Sequence, residues 1–316
     1  MGYDSLIILP EKIKLKEVKQ FLAILNYQEI DKNLFFYNNN NSEEHLTGIP
    51  VDIFQTRPNI ELHIRTTVWR TIADTEYVNL TLKEVSKRFG GYFRTEFGKN
   101  KIYKFEGIVR RGAEAGCYTV FKHFCNNIAQ SYIFFDHLKS IEKNYPLKDV
   151  WFIDKYNPIS IGINISIPFL ISIFEEYFRS TYIVLLKWSG KKKDILKRLK
   201  INTEDLADVA NGIHSVEKLV CRYMSFQNLN SINEAFDKIS KDINFIHLLK
   251  STNPEKDYFN RVDRLIKFRH RIIHSNETDS FYNVSDFEKD LKLVSDVCEI
   301  FYDRLIEVYE WNKDKY

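Results

Sequence analysis

The sequence predicts an α+β domain followed by an all-α helical bundle. In the first 145 residues, short apolar runs typical of strands alternate with segments of helical spacing. Residues 144–158 contain Pro146, Asn157 and Pro158 and show little periodicity, which is typical of a domain boundary. Every later segment has the pattern of helix or loop. We therefore predict an accessory or sensor domain over residues 1–145 and a helical domain over residues 159–316.

The composition is that of a folded chain with little net charge. Of its 316 residues, 44% are hydrophobic and 28% are charged, which excludes a disordered chain. The net charge of +3 predicts that any contact with nucleic acid comes from a local patch rather than from a chain-wide basic field. The four cysteines form no C-x-x-C pair, which argues against a zinc site and fits a reducing cytosol.

No targeting or membrane segment is expected. The N-terminus lacks the basic region and apolar core of a signal peptide. Residues 164–188 are apolar, but Glu175, Glu176 and Arg179 interrupt them. Charges at the centre of a bilayer cost roughly 2.5–3.5 kcal/mol each. We therefore predict a buried core helix at this position, a cytoplasmic protein and no membrane association.

Apolar periodicity locates the elements of the first domain. Strands are predicted at residues 5–9, 34–37, 51–54 and 60–69. Helices are predicted at residues 15–25, 81–89 and 114–141. Thr81 and Glu84 have the pattern of a capping box at the start of the second helix. Residues 98–101 predict a hairpin turn between strands at 92–97 and 102–105.

The second domain is predicted to be a bundle of five helices joined by short connections. They are assigned to residues 165–187, 203–226, 231–250, 255–274 and 284–311. Thr203, Ser231 and Ser285 are the predicted N-caps, because a hydroxyl can accept a hydrogen bond from a free amide of the first turn. Pro254 suits the first turn of the fourth helix.

Arg269 interrupts the apolar seam of the fourth helix. Steps of three and four residues along that seam pass through Val262, Ile266, Arg269 and Ile273. A guanidinium on a core-facing seam must be paired or must line a cleft. Glu175 lies in the same way on the seam of the first helix, so we predict that Arg269 and Glu175 meet. A purely structural ion pair explains this pattern equally well.

Two histidines follow Arg269 on the same helix. His270 and His274 are four residues apart and share a face, whereas Arg269 and His274 are separated by about 140° around the helix. Imidazole moves protons near neutral pH, and the arginine fork matches the geometry of phosphate. This combination can cleave a phosphodiester without metal, although a lone histidine near a helix end is more often a cap or a surface residue.

These residues resemble the motifs of HEPN domains. Arg269-His270-x-x-x-His274 resembles the R-x4–6-H motif of that family. The segment Phe-Glu-Glu-Tyr-Phe-Arg at residues 174–179 is similar to the first HEPN helix. The resemblance covers residues 159–311, with the glutamate helix first and one long helix after the motif. The long stretch between the glutamate helix and the motif helix departs from the family pattern.

The resemblance implies a symmetric homodimer and a metal-independent endoribonuclease without a cofactor, as in toxins and phage-defence proteins. His274 would be the general base or acid, and Arg269 would stabilise the charged phosphorane. His270 would orient or bind, and Glu175 would hold Arg269. Attack by the ribose 2′-hydroxyl would leave a 2′,3′-cyclic phosphate. The implied partners are an RNA substrate, a second copy of the chain, and a regulatory partner or phage trigger sensed by residues 1–145.

A basic run follows the first helix of the second domain. Lys191, Lys192 and Lys193 are candidate contacts to an RNA backbone, as is Arg271, although a solvated loop explains the run equally well. The histidines show no metal-ligand spacing, so no metal is predicted. Two alternatives to an active nuclease stay open. One is a non-catalytic HEPN module for binding or dimerisation, and the other is a toxin whose motif a partner nucleotidyltransferase modifies.

Overall fold

The computed structural model describes residues 2–38, 45–56, 58–105, 107–148 and 150–313. The chain divides into two compact units, residues 1–119 and 120–315. All described strands lie in the first unit, and the described elements of the second unit are helices. The prediction of an α+β region followed by a helical region is therefore confirmed.

The described strands of the N-terminal unit form one antiparallel sheet. They are β1 (Asp4–Leu9), β2 (Gln28–Asp31), β3 (Leu34–Tyr37), β4 (Ile49–Thr56), β5 (Asn59–Arg65), β6 (Tyr92–Thr95) and β7 (Gly98–Lys99). Their order in the sheet is β2-β3-β4-β5-β1-β6-β7. Successive side chains of a strand alternate between faces, so Ile7 and Leu62 are fully buried where β1 pairs with β5.

Two helices, α1 (Leu15–Ile24) and α2 (Ile72–Phe89), pack on this core, and only the first begins where predicted. The predicted start of α2 at Thr81 is wrong. Thr71 is the N-cap: its hydroxyl accepts from the amide of Asp74, whose carboxylate accepts from the amide of Thr71 at 2.7 Å. Thr81 lies inside the helix, where its hydroxyl donates to the carbonyl of Tyr77.

The β6–β7 hairpin is present, but its predicted register is wrong. Gly98 pairs with Thr95, so the turn lies at Glu96 and Phe97 instead of residues 98–101. The ladder ends at Asn100, which adopts a left-handed backbone (φ 57°) and whose side chain accepts from the amide of Phe93. The fully exposed β2 has no apolar alternation and was not predicted.

The helices that follow α2 are numbered α3 to α12. They are α3 (Gly112–Ile141), α4 (Trp151–Asp154), α5 (Pro158–Trp188), α6 (Lys192–Lys197), α7 (Thr203–Ala210), α8 (Val216–Arg222), α9 (Leu229–Ile239), α10 (Phe245–Ser251), α11 (Tyr258–Ser275) and α12 (Val284–Tyr309). The predicted first, fourth and fifth helices of the bundle correspond to α5, α11 and α12.

The predicted helices at 203–226 and 231–250 are each two shorter helices. Gly212 adopts a positive φ of 72° after α7, and Ser215 caps α8. Asn244 caps α10 in the same way. The predicted caps Thr203, Ser231 and Ser285 are also wrong, because an asparagine upstream of each one accepts the amide hydrogen bond. These asparagines are Asn202, Asn228 and Asn283.

The boundary between the two units falls inside α3. This is earlier in the chain than residue 145, the predicted end of the first domain. The reason is packing. Phe121 stacks on Tyr302 of α12 at 4.3 Å between ring centroids, and Phe124 lies 5.1 Å from Tyr177 of α5. From residue 120 onward, α3 therefore packs in the helical unit.

The aromatic core of the helical unit surrounds α5. Phe178 is fully buried and, besides its neighbour Tyr177, contacts four further rings from α5, α9, α10 and α12. These rings belong to Phe174, Phe236, Phe245 and Phe301. By length and composition α5 could cross a membrane, but much of it is buried inside the unit. It is therefore consistent with the core helix of a soluble protein, as predicted.

Replacing Phe178 by alanine should lower the free energy of unfolding by about 3–5 kcal/mol, since it removes a fully buried ring and leaves a cavity. Urea denaturation followed by circular dichroism measures the change. Phe152→Ala is the matched control, because Phe152 lies in the same unit but is exposed. Equal losses for the two variants would contradict this description of the core.

Candidate functional site

Helices α5 and α11 bring Glu175 and Arg269 together. A guanidinium nitrogen of Arg269 (Nη2) lies 3.8 Å from Oε1 of Glu175. The side chain of Arg269 is 13% exposed and that of Glu175 is 10% exposed. The predicted meeting of these two charges on the apolar seams of two helices is confirmed.

The ion pair leaves hydrogen-bonding capacity unused. Within the described part of the chain, Nε of Arg269 and Oε1 of Glu175 are both buried without a hydrogen-bond partner. Burial raises the pKa of Glu175, and the positive charges of Arg269, Arg179 and His270 oppose this rise. The pair therefore holds the two charges near each other but leaves one donor of Arg269 and one acceptor of Glu175 unsatisfied inside the unit.

His270 and His274 lie one above the other on α11. Their ring centroids are 5.8 Å apart and the rings are inclined by 17°. His270 is partly buried and His274 is exposed to solvent. Among the described contacts, none joins Arg269 directly to His274.

The end of α11 determines the position of His274. The helix ends at Ser275, and Asn276 follows in the left-handed conformation (φ 51°) that commonly terminates helices. Its amide donates to the carbonyl of Arg271. His274 therefore lies in the last turn, where the partial negative charge of the helix terminus favours cationic side chains.

Sequence reasoning missed Asn164, which fixes the segment after α11. Asn164 is buried on α5, and its side chain accepts from the amide of Asp279 at 2.9 Å and donates to the carbonyl of Asp279 at 3.0 Å. A polar residue inside the apolar first half of α5 was the available signal, because a buried amide requires partners.

The candidate basic contacts differ in their surroundings. Lys192 forms an ion pair with the buried carboxylate of Glu217, which gives it a structural role. Lys191 and Lys193 are exposed. Arg271 is exposed, and its guanidinium lies 5.3 Å from the ring centre of Phe268. Arg271, Lys191 and Lys193 therefore stay available for contact with a polyanion.

The described residues contain no group of three or more histidine, cysteine or acidic side chains arranged to hold a metal ion. Comparison of the chain with protein-family models, curated proteins and solved structures found no match. Any assignment of function therefore depends on the geometry of the residues around Arg269.

The ion pair itself predicts a pH-dependent stability. Arg269→Met leaves the Glu175 carboxylate buried without its cation, which should cost on the order of 3 kcal/mol of unfolding free energy at neutral pH. The loss should shrink as the pH falls through the raised pKa of Glu175, because the protonated carboxyl needs no cation.

The contribution of Glu175 to the stability of the parent chain should also fall as the pH rises. Since the folded pKa of Glu175 exceeds its ordinary value, the stabilisation from this group is present below the ordinary value and is lost as the pH rises through the folded one. Urea denaturation at pH 4.5 and at pH 7 tests both expectations. The double variant Arg269→Met/Glu175→Gln should recover stability at pH 7, and a loss independent of pH would contradict the role of the pair.

Proposed function

We propose that the chain is a metal-independent endoribonuclease of HEPN type. The proposal depends on one observation: a guanidinium held on a buried seam by Glu175 lies on the same helix as two stacked imidazoles, of which that of His274 is exposed. Arginine stabilises the charge that develops on a phosphorane, and histidine transfers the protons of the reaction.

The proposed reaction uses only groups of the protein and the RNA. His274 takes the proton of a ribose 2′-hydroxyl, and the oxygen attacks the adjacent phosphorus. The bond from phosphorus to the 5′-oxygen breaks, and that oxygen receives a proton from an imidazolium. The products are a 2′,3′-cyclic phosphate and a free 5′-hydroxyl. Arg269 neutralises the pentacovalent intermediate, and Glu175 and His270 position Arg269 and His274.

We propose further that two copies of the chain form the complete site. The reaction needs one histidine that removes a proton as an imidazole and a second that supplies a proton as an imidazolium. The simplest source of both is His274, contributed once by each of two copies. Ile161, Ile165 and Phe169 form an exposed stripe along α5, and Ile273 is exposed on the seam of α11 next to His274. An exposed apolar area on the order of several hundred Å² marks an interaction surface.

We assign the chain to the cytoplasm, in a phage-defence or toxin system. The N-terminal unit has its own buried core and a sheet, so it can bind a trigger or a regulatory partner without taking part in the chemistry. The scattered reduced cysteines are consistent with that compartment.

His274→Ala and Arg269→Ala should each lower RNA cleavage at least about 100-fold, the usual contribution of an acid–base group. The measurement is incubation with total RNA and tRNA in EDTA, followed by mapping of the cut ends. The ends should carry 2′,3′-cyclic phosphate and 5′-hydroxyl groups.

His247→Ala is the matched control for this assay, because His247 is an exposed histidine on α10, outside the motif. The control should cleave like the parent. Parental cleavage by both His274→Ala and Arg269→Ala would end the assignment, and full inhibition of the parent by EDTA would exclude the metal-independent reaction.

Phe169→Glu should convert a dimer into a monomer and lower cleavage together with it, because it places a charge in the exposed stripe of α5. Sedimentation velocity gives the oligomeric state. Leu206→Glu, which changes an exposed leucine of α7, should leave both properties unchanged. A monomeric parent with full activity would contradict the two-copy site.

A non-catalytic module is the second candidate, and one observation favours it. Arg269 faces Glu175 within its own unit and does not contact His274 in the described structure. In that case the ion pair only stabilises the bundle, and the exposed stripe serves dimerisation. The cleavage assay separates the two functions, because this candidate requires an inactive parent that still forms a dimer.

A further inference from the structure

A cavity of about 610 Å³ lies against α11, α12 and the segment between them. On α11 its lining includes Arg264, Phe268 and Arg271, which recur every three or four residues and so share one face. Arg269 and His274 do not line this cavity. It is therefore a separate feature on the same helix as the motif.

The walls of the cavity are held in place by hydrogen bonds. The backbone of Asp279 is bound in both directions by the buried side chain of Asn164. The hydroxyl of Tyr282 donates to the buried carboxylate of Asp290 at 2.6 Å, and the ring of Tyr282 packs edge-on against Phe268. A pre-formed wall lowers the entropy cost of binding a ligand.

The cavity offers free cations beside an exposed ring. Within the described residues, neither Arg264 nor Arg271 forms an ion pair with a carboxylate, whereas Lys289 is paired with Asp286. Phe281 lines the same cavity and is 63% exposed. Two guanidinium groups bind phosphate oxygens, and an exposed aromatic ring stacks on a nucleobase.

We propose that this cavity binds one nucleotide of a single-stranded RNA, a role that rests on the proposed nuclease function. Its volume lies within the range of roughly 300–1,000 Å³ that is usual for ligand sites. Arg271 on its rim is three residues from His274, so the two side chains are neighbours on α11. An RNA strand with one nucleotide in the cavity therefore continues directly to the imidazole of His274. The cavity thereby positions that nucleotide next to the scissile bond.

An exposed acidic residue of the cavity, Asp279, specifies the base. One oxygen of its carboxylate accepts from the amide of Phe281, whereas the carboxylate of Asp290 is buried and already accepts from Tyr282. A carboxylate accepts hydrogen bonds from the exocyclic amino groups of adenine and cytosine, and uracil has no such group. The site should therefore prefer an adenine or cytosine nucleotide over a uracil nucleotide.

Binding is measured by fluorescence anisotropy with a labelled 2′-O-methyl oligoadenylate, which lacks the attacking hydroxyl and cannot be cleaved. Arg264→Glu and Arg271→Glu should each weaken binding about tenfold and reduce its salt dependence. Phe281→Ala should weaken it as well, through lost stacking. Lys238→Glu makes the same change of charge on the exposed face of α9 and should bind like the parent.

The outcomes separate this proposal from the nuclease. Parental binding by both arginine variants would overturn the cavity assignment whether or not RNA is cut. Weakened binding by those variants, with a parent that never cleaves RNA, would support the cavity and overturn the nuclease. Equal affinity for 2′-O-methyl oligouridylate would overturn the role of Asp279. Tighter binding of free AMP than of the oligonucleotide would overturn the RNA assignment in favour of a mononucleotide.

Discussion

The constraint on which the helical unit depends is the burial of opposite charges on the facing seams of α5 and α11. Removing a carboxylate and a guanidinium from water costs several kcal/mol per ion, and apolar side chains of similar volume often stabilise a core as well or better. The pair of Arg269 and Glu175 is therefore poorly explained by stability alone. Its geometry, with two buried atoms unbonded in the described structure, is better explained by holding a guanidinium in position.

A single helix, α5, carries most of what surrounds this pair. Phe178 fills the aromatic core, Glu175 faces Arg269, and Asn164 fixes the segment that walls the cavity. The stripe through Ile165 and Phe169 stays exposed on the same helix. These features therefore lie on one helix of 31 residues, which continues through Pro168.

Helical periodicity explains what the sequence could predict. The spacing of apolar residues determines which face of a helix is buried, and so it predicted the approach of Arg269 to Glu175. Caps and registers depend on which of several adjacent polar side chains reaches an amide, and Asn202 beside Thr203 illustrates why the choice was missed. The cavity could not be predicted, because Arg264 and Asp290 come to line one cavity only when α11 packs on α12. The exposed β2 likewise has no pattern to detect.

The three faces of α11 indicate how the proposed chemistry is organised. The seam with Arg269 faces α5, the imidazoles of His270 and His274 form a second face, and Arg264 and Arg271 face the cavity. About 140° of helix rotation separates Arg269 from His274, so Arg269 must partly leave Glu175 to reach a phosphate beside the imidazole. That movement leaves the Glu175 carboxylate buried without its cation, so a bound phosphate must offset the cost through the two oxygens that it offers to the guanidinium. The incomplete ion pair, with Nε and Oε1 unbonded in the described structure, is thus consistent with the proposed role of Arg269 toward a substrate.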